Sequence, residues 1–377
     1  MREFDILIFG AGIAGASLAW RLAGQRSVAL VEREAQPGYH STGRSAAMFM
    51  ETYGPPMVRA LTRASRAFYE RPPEGFSPAL MQPRGVLYLA THGQEKELAD
   101  TRRELSVNCP GLVTMDAHTT LAHVPCLRPE LVHGALYDSG AQDMDVHALH
   151  QGFLRGFRHK AGADGELRTA TTLTQATHDG QRWTLQFSDG EVLRAKTVVN
   201  AAGAWADALA AVFGAQPIGL VPHRRSAFTF KAPDGVDPSP WPAVVGVDES
   251  YYFKPDAGQL LGSPANADPT VPHDVVPEEL DIAMGIHQIE SVSTLTIRRP
   301  SSTWAGLRSF VPDGEMVIGH DGACPGFFWL AAQGGYGIQS AAGASALADA
   351  LIRETALPEE LVQQGVEASR LSPARLR

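Results

Sequence analysis

Phe9-Gly10-Ala11-Gly12-Ile13-Ala14-Gly15 decides how the rest of this chain is read. The apolar run before it, residues 6–9, is short and continuous, as in a parallel strand covered on both faces, while residues 13–23 carry helical spacing. A second apolar strand, residues 27–31, ends at Glu32. Together they make a strand, helix, strand unit of about thirty residues, the size of a dinucleotide-binding half. Gly10 permits the tight turn, and Gly12 lets the backbone approach a pyrophosphate where Ile13 and Ala14 open the helix. Gly15 lets helix and strand pack closely, and Glu32 accepts hydrogen bonds from ribose hydroxyls. The motif alone leaves FAD and NAD both open.

Composition narrows the partner. A chain of 377 residues exceeds one typical core, so two domains, or one with an inserted lobe, are expected. A formal charge of -9, with no run of Lys or Arg, argues against nucleic acid or an anionic membrane and for a small-molecule substrate. Cys109, Cys126 and Cys324 stand far apart and the 13 histidines show no HExxH pattern, so no metal centre is expected and a reducing cytoplasm is the expected home. Residues 6–20 look superficially like a leader. Glu3 and Asp5 stand where basic residues would belong, glycines interrupt the run, and it is too short to span a bilayer, so no stable membrane insertion is expected.

Further along, residues 57–70 read as a helix of a separate lobe, 85–90 as a strand, and 94–105 and 146–159 as helices. Residues 167–176 and 183–187 alternate like a meander. Residues 197–200, Ala201-Ala202-Gly203 and a helix over 204–213 then repeat the opening pattern. Between residues 219 and 303 short strands dominate, among them 226–230, 243–247, 251–253 and 293–297, and a second sheet follows. Residues 316–318 and 327–331 read as buried strands, and 334–352 as a long small-residue helix with a glycine-rich start.

Gly38-Tyr39-His40-Ser41-Thr42-Gly43-Arg44-Ser45-Ala46-Ala47, Asn200-Ala201-Ala202-Gly203-Ala204-Trp205 and Gly334-Gly335-Tyr336-Gly337-Ile338-Gln339 carry a resemblance. Over essentially the whole chain the sequence resembles FAD-dependent D-amino acid oxidoreductases, most of all the arginine-specific dehydrogenases among them. The resemblance implies an α/β (α+β mosaic) fold: a Rossmann-type FAD-binding domain over residues 1–50, 140–215 and 305–377. Residues 51–139 and 216–304 form an interleaved substrate domain on an antiparallel or mixed sheet. It implies non-covalent FAD held by Gly10, Gly12, Ile13, Ala14, Gly15, Glu32, Arg33, Ser41, Thr42, Gly43, Arg44, Ser45, Ala46, Ala47, Ala202, Gly203, Trp205, Gly306, Arg308, Gly334, Gly335, Tyr336, Gly337, Ile338 and Gln339. Arg225 and Arg308 match the arginines that bind the substrate carboxylate, a contact suited to a planar guanidinium. Tyr53 and Tyr252 match tyrosines placed over the substrate, and Gln339 a position near its amine. Arg224, adjacent to Arg225, points to the opposite face if the segment is a strand.

The chain departs from the arginine-specific pattern. Around the position of their guanidinium-holding acid it reads Arg84-Gly85-Val86-Leu87-Tyr88, and Met48, Met50 and Ala243 replace other residues of the pocket. Met48, Met50, Val86, Ala243 and Val245 are expected to form an apolar side-chain pocket, in which an unpaired guanidinium would cost on the order of several kcal/mol. The expected reaction is oxidative deamination of a D-amino acid with a hydrophobic or aromatic side chain to a 2-oxo acid and ammonia. Oxygen and a quinone are both open as the electron acceptor. A secondary-amine oxidase of the same fold, acting on sarcosine or proline, an NAD-linked dehydrogenase and a catalytically silent flavoprotein are the alternatives.

Overall fold

The computed structural model describes residues 2–377. Strand Arg2–Phe9 lies within an eight-stranded sheet, with Val28–Val31 parallel on one side and Val192–Asn200 parallel on the other. Phe9 stands beside both Val31 and Asn200, so the glycine turn, Glu32 and Ala201 leave the sheet at one carboxyl edge. Ligands of open parallel sheets bind at that edge. Gly10 has φ of +99°, and a methyl there would come within 2.4 Å of the Ala201 carbonyl oxygen; glycine alone tolerates both. Beyond its pairing with Arg2–Phe9, Val192–Asn200 forks. Its start pairs antiparallel with Trp183–Phe187 and its end parallel with Phe327–Ala331.

Helices Ile13–Leu22, Val146–Ala161 and Ala341–Ile352 share one core with this sheet, in which Ile8, Leu30, Phe153 and Leu347 are fully buried. Each such side chain contributes roughly 1.5–3 kcal/mol. The opposite face buries Leu7, Val198, Phe213 and Trp329.

The second sheet has nine strands, and Ser302–Phe310 pairs along nearly the whole of Val221–Phe230. Its one parallel pairing joins Ala243–Gly246 to Val86–Thr91, so the sheet is mixed, as expected. Helix Glu279–Val292 packs on it through Ile289, beside Phe228.

Several elements differ from the sequence reading. Residues 167–176 are not one strand: Gly165–Arg168 pairs parallel with Val28–Val31, and Leu173–His178 pairs antiparallel with Trp183–Phe187. The chain breaks between them at Ala170, whose φ is +53°. Residues 293–297 form no strand and follow the unforeseen helix Glu279–Val292. Two of that helix's four buried positions are Asp281 and Gly285, which blurs its apolar period. The last long helix starts at Ala341, not at residue 334, because residues 334–340 form successive turns opened by Gly334 at φ +52°. Helix Pro56–Glu70 is no separate lobe. Its Leu61 and Tyr69 belong to the core of the first sheet, whereas all of Ser302–Phe310 belongs to the second, across the boundary expected at residue 305.

Candidate active site

Three adjoining cavities run from the carboxyl edge of the first sheet to the face of the second. The first is walled by Gly10, Gly12, Glu32, Arg33, Ser41, Thr42, Ala202, Gly203 and Trp205. Glu32 is fixed in it by two backbone amides: Oε2 accepts from Ala11 at 2.8 Å and Oε1 from Glu34 at 3.0 Å. The Arg33 guanidinium lies over the Trp205 ring at 4.0 Å, and the His40 ring packs against it at 4.6 Å with a 48° tilt. Helix Ile13–Leu22 starts at Gly12 without a side-chain cap from that residue and without an acid in its first turn. Its positive end therefore faces the cavity, a ready seat for phosphate. Thr42 Oγ1 accepts the Ile13 N–H at 3.0 Å. Burial pushes the His150 imidazole pKa below the usual range, which keeps the ring neutral; Nε2–H donates to the Ala11 carbonyl at 2.8 Å and steadies the turn.

The second cavity shares Ser41 and Thr42 with the first and continues past Ile13, Arg44, Ser45, Ala46, Gly306, Gly334, Gly335, Gly337 and Ile338. Its wall is short of side chains. Gln333, also in that wall, has its Nε2 buried with no hydrogen-bond partner among the described residues. An orphaned amide donor beside a glycine-walled slot suits a flat ring system with carbonyl acceptors on its edge. With a phosphate seat and a ribose-binding acid further along, these residues fit FAD.

Not every residue expected at the cofactor reaches these cavities. Ala14 and Gly15 serve packing, since a methyl on Gly15 would come within 1.9 Å of the Gly10 carbonyl oxygen. Gly43 donates its N–H to Gly38 at 2.8 Å, and the Tyr336 ring packs edge-on against Tyr53 at 4.9 Å. Arg44 lines the slot, yet its guanidinium is engaged elsewhere, by Asp274 and the carbonyls of Val275 and Ala305.

The third cavity lies on the second sheet and is walled by Ala47, Met48, Met50, Tyr53, Tyr88, Arg225, Ala243, Val245, Tyr252, Arg308 and Gln339. Strand register explains the arginines. Arg225 pairs with Gly306 and Arg308 with His223, which puts both side chains on one face at a diagonal spacing. Arg308 Nη1 donates to Tyr53 Oη at 2.9 Å and Arg225 Nε to the Asn266 carbonyl at 2.6 Å. Neither makes an ion pair with an Asp or Glu among the described residues. Arg224, on the other face, pairs with Asp281 at 2.9 Å, with Glu278 and with Asp268, so it is held by acids rather than left to solvent. Burial, then repulsion from Arg308, pushes Arg225 down to about 10, still charged at neutral pH. Two half-buried cations lacking a carboxylate partner define an anion seat.

One expectation changes here. Val86 is fully buried behind the wall, in a cluster with Met50 and Ala243, and does not line the cavity. Gln339 stands in the wall and is held there: Nε2 donates to the Tyr53 carbonyl at 3.2 Å and to Thr62 Oγ1 at 3.0 Å, and Oε1 accepts from Met50 N–H at 3.4 Å. It fixes the loop that carries Tyr53. Sequence reasoning missed Tyr88, Glu249 and Lys254. Tyr88 donates to Thr52 Oγ1 at 2.8 Å, and Lys254, 5% exposed, is neutralised by Asp143 at 2.7 Å. Glu249 stands exposed at the rim with φ of +56°; the polar turn Asp248-Glu249-Ser250 was its only sequence signal.

A dinucleotide groove that opens onto an arginine-lined cavity defines an oxidoreductase whose cofactor lies between two sheets. The chain belongs to the FAD dependent oxidoreductase family, whose pattern it matches over residues 5–350. In structure it is similar to L-proline dehydrogenase from P. horikoshii, with a TM-score of 0.81, 20% identity, and 99% of this chain and 98% of that one covered. It is likewise similar to glycine oxidase from Geobacillus kaustophilus, with a TM-score of 0.80, 22% identity, and coverage of 97% and 99%. In sequence it is 27% identical over 331 residues to the tRNA 5-methylaminomethyl-2-thiouridine biosynthesis bifunctional protein of Burkholderia vietnamiensis. That match covers 84% of this chain but only 46% of that protein's length.

Proposed function

We propose that this flavoenzyme oxidises the Cα–N bond of a D-amino acid with a hydrophobic or aromatic side chain, giving an imine that water converts to a 2-oxo acid and ammonia. The observation that carries this reading is the pair Arg225 and Arg308, both without a carboxylate partner, on the face beside the glycine-walled slot. FAD, when bound, supplies the hydride acceptor. The two guanidiniums hold the substrate carboxylate and so fix Cα in one orientation; much of the rate then comes from positioning rather than from a general base. Tyr53 and Tyr252 cover the substrate and exclude water. Met48 offers no proton acceptor.

Met48, Met50, Ala243, Val245 and Ile338 supply an apolar wall for the side chain. Glu51, the acid best placed in sequence to hold a guanidinium, is tied to Arg66 at 2.6 Å. The acid in the wall, Glu249, is solvent-exposed at the rim. It is the apolar lining, rather than the lack of an acid, that supports arginine as a poor substrate, in contrast to the arginine-specific enzymes that the sequence resembles. The acceptor that takes the electrons onward is oxygen or a quinone. Among the described residues no helix is long and apolar enough to cross a membrane, and the three buried free cysteines support a reducing cytoplasm as the enzyme's home.

Anaerobic mixing of the purified flavoprotein with single amino acids tests the reading. Bleaching of the flavin absorbance by D-leucine, D-methionine or D-phenylalanine but not by D-arginine is expected. Bleaching by sarcosine or proline alone would replace the proposal with a secondary-amine oxidase, and bleaching by none would sink it.

A further inference from the structure

At the end of strand Val86–Thr91, two side chains close in sequence converge with a third some forty residues away. His92 sits in the turn after strand Val86–Thr91, Glu95 opens helix Glu95–Leu105, and His133 lies on the neighbouring strand Val132–Asp138. One ligand atom from each lies within 4.8 Å of the others, and His133 Nδ1 is already 3.5 Å from Glu95 Oε1. In a tetrahedral site with bonds of roughly 2.0–2.1 Å, ligand atoms stand about 3.3 Å apart. All three side chains are exposed, so rotations about their side-chain bonds can close the remaining gap.

The backbone is braced for it. Gln94 Oε1 accepts both the amide and the hydroxyl of Thr91 at 2.9 Å, which fixes the turn between His92 and Glu95. The Gly93 amide donates to Glu95 Oε1 at 3.1 Å, which orients the carboxylate. An ionised carboxylate and two imidazoles are ligands that a borderline divalent cation such as zinc prefers, with water in the fourth position. Magnesium and calcium prefer all-oxygen sets.

We propose that His92, Glu95 and His133 form a surface site for a zinc-like divalent cation that clasps a turn, a helix start and a strand of the second sheet. The site is separate from the cavity that Arg225 and Arg308 line, and it stands whatever the substrate proves to be. Zn²⁺ alone, titrated by calorimetry into chelator-treated, flavin-loaded enzyme, tests it. One cation per chain with Kd at or below about 10 μM is expected, with binding at least about ten-fold weaker in each of His92→Ala, Glu95→Gln and His133→Ala. Saturating Zn²⁺ should raise the unfolding temperature of the parent chain and not of the variants. Weaker binding by the parent, or variants that bind within ten-fold of it, would overturn the proposal. All three positions are exposed, so the variants are expected to fold.

Discussion

Arg225 sits where a cation is unwelcome until an anion arrives. Its folded pKa, about 10, lies below its ordinary value. The unfolded chain therefore binds the proton more tightly, and stability rises as pH climbs above about 10 toward the ordinary arginine value. At neutral pH the charged guanidinium destabilises the fold. Arg225→Met should therefore unfold at a higher temperature than the parent while losing activity, a trade familiar at strained sites. Arg225→Lys keeps the charge but loses the planar fork, and kcat/KM should fall about 10- to 100-fold, mostly through KM, in steady-state assays. Arg308 differs, because three tyrosines face it and Tyr53 accepts its hydrogen bond. Tyr53→Phe should cost less than either arginine change. The arginine pair itself was legible only through family resemblance. A diagonal across Val221–Phe230 and Ser302–Phe310 depends on a register between segments far apart in sequence.

At the scale of elements, the opening strand, turn and helix were readable because every part is local; the structure keeps the helix and the second strand almost to the residue and extends the first strand back to Arg2. Two glycines of that turn separate packing from binding. A methyl on Gly15 would clash with the Gly10 backbone, whereas one on Gly12 would meet only the Thr42 hydroxyl at 3.2 Å. Gly15→Ala should thus destabilise the chain by about 1–3 kcal/mol or more in denaturant unfolding. Gly12→Ala should fold normally and show its defect as weakened FAD affinity by flavin fluorescence. Equal destabilisation by both would contradict this division. What escaped the sequence was not local. Helix Glu279–Val292 hides behind a buried aspartate and glycine, and the turns over residues 334–340 look helical until the φ of Gly334 is known. Val86 matched the apolar-pocket pattern and lies one layer too deep.

Across the whole molecule, the cofactor groove belongs to neither sheet alone. Gly10 and Glu32 come from the first, Gly306 and Arg308 from the second, and Ser41 ties them by donating to the Leu307 carbonyl at 2.6 Å. FAD should therefore hold the two units together, and its removal should lower the unfolding temperature until it is added back. At a thousand-fold excess over Kd this amounts to about 4 kcal/mol. Cys109, Cys126 and Cys324 line none of the three cavities, so denaturation should free all of the flavin into solution, where filtration and absorbance measure it; retained flavin would reveal a covalent link. The same arrangement sets a clock on biosynthesis. Strand Arg2–Phe9 is synthesised well before Val192–Asn200, Ser302–Phe310 and the Gly334–Gly337 turn that complete its binding groove. While those roughly three hundred residues are made, the phosphate seat stays exposed and unfinished, and flavin capture has to follow the last of them.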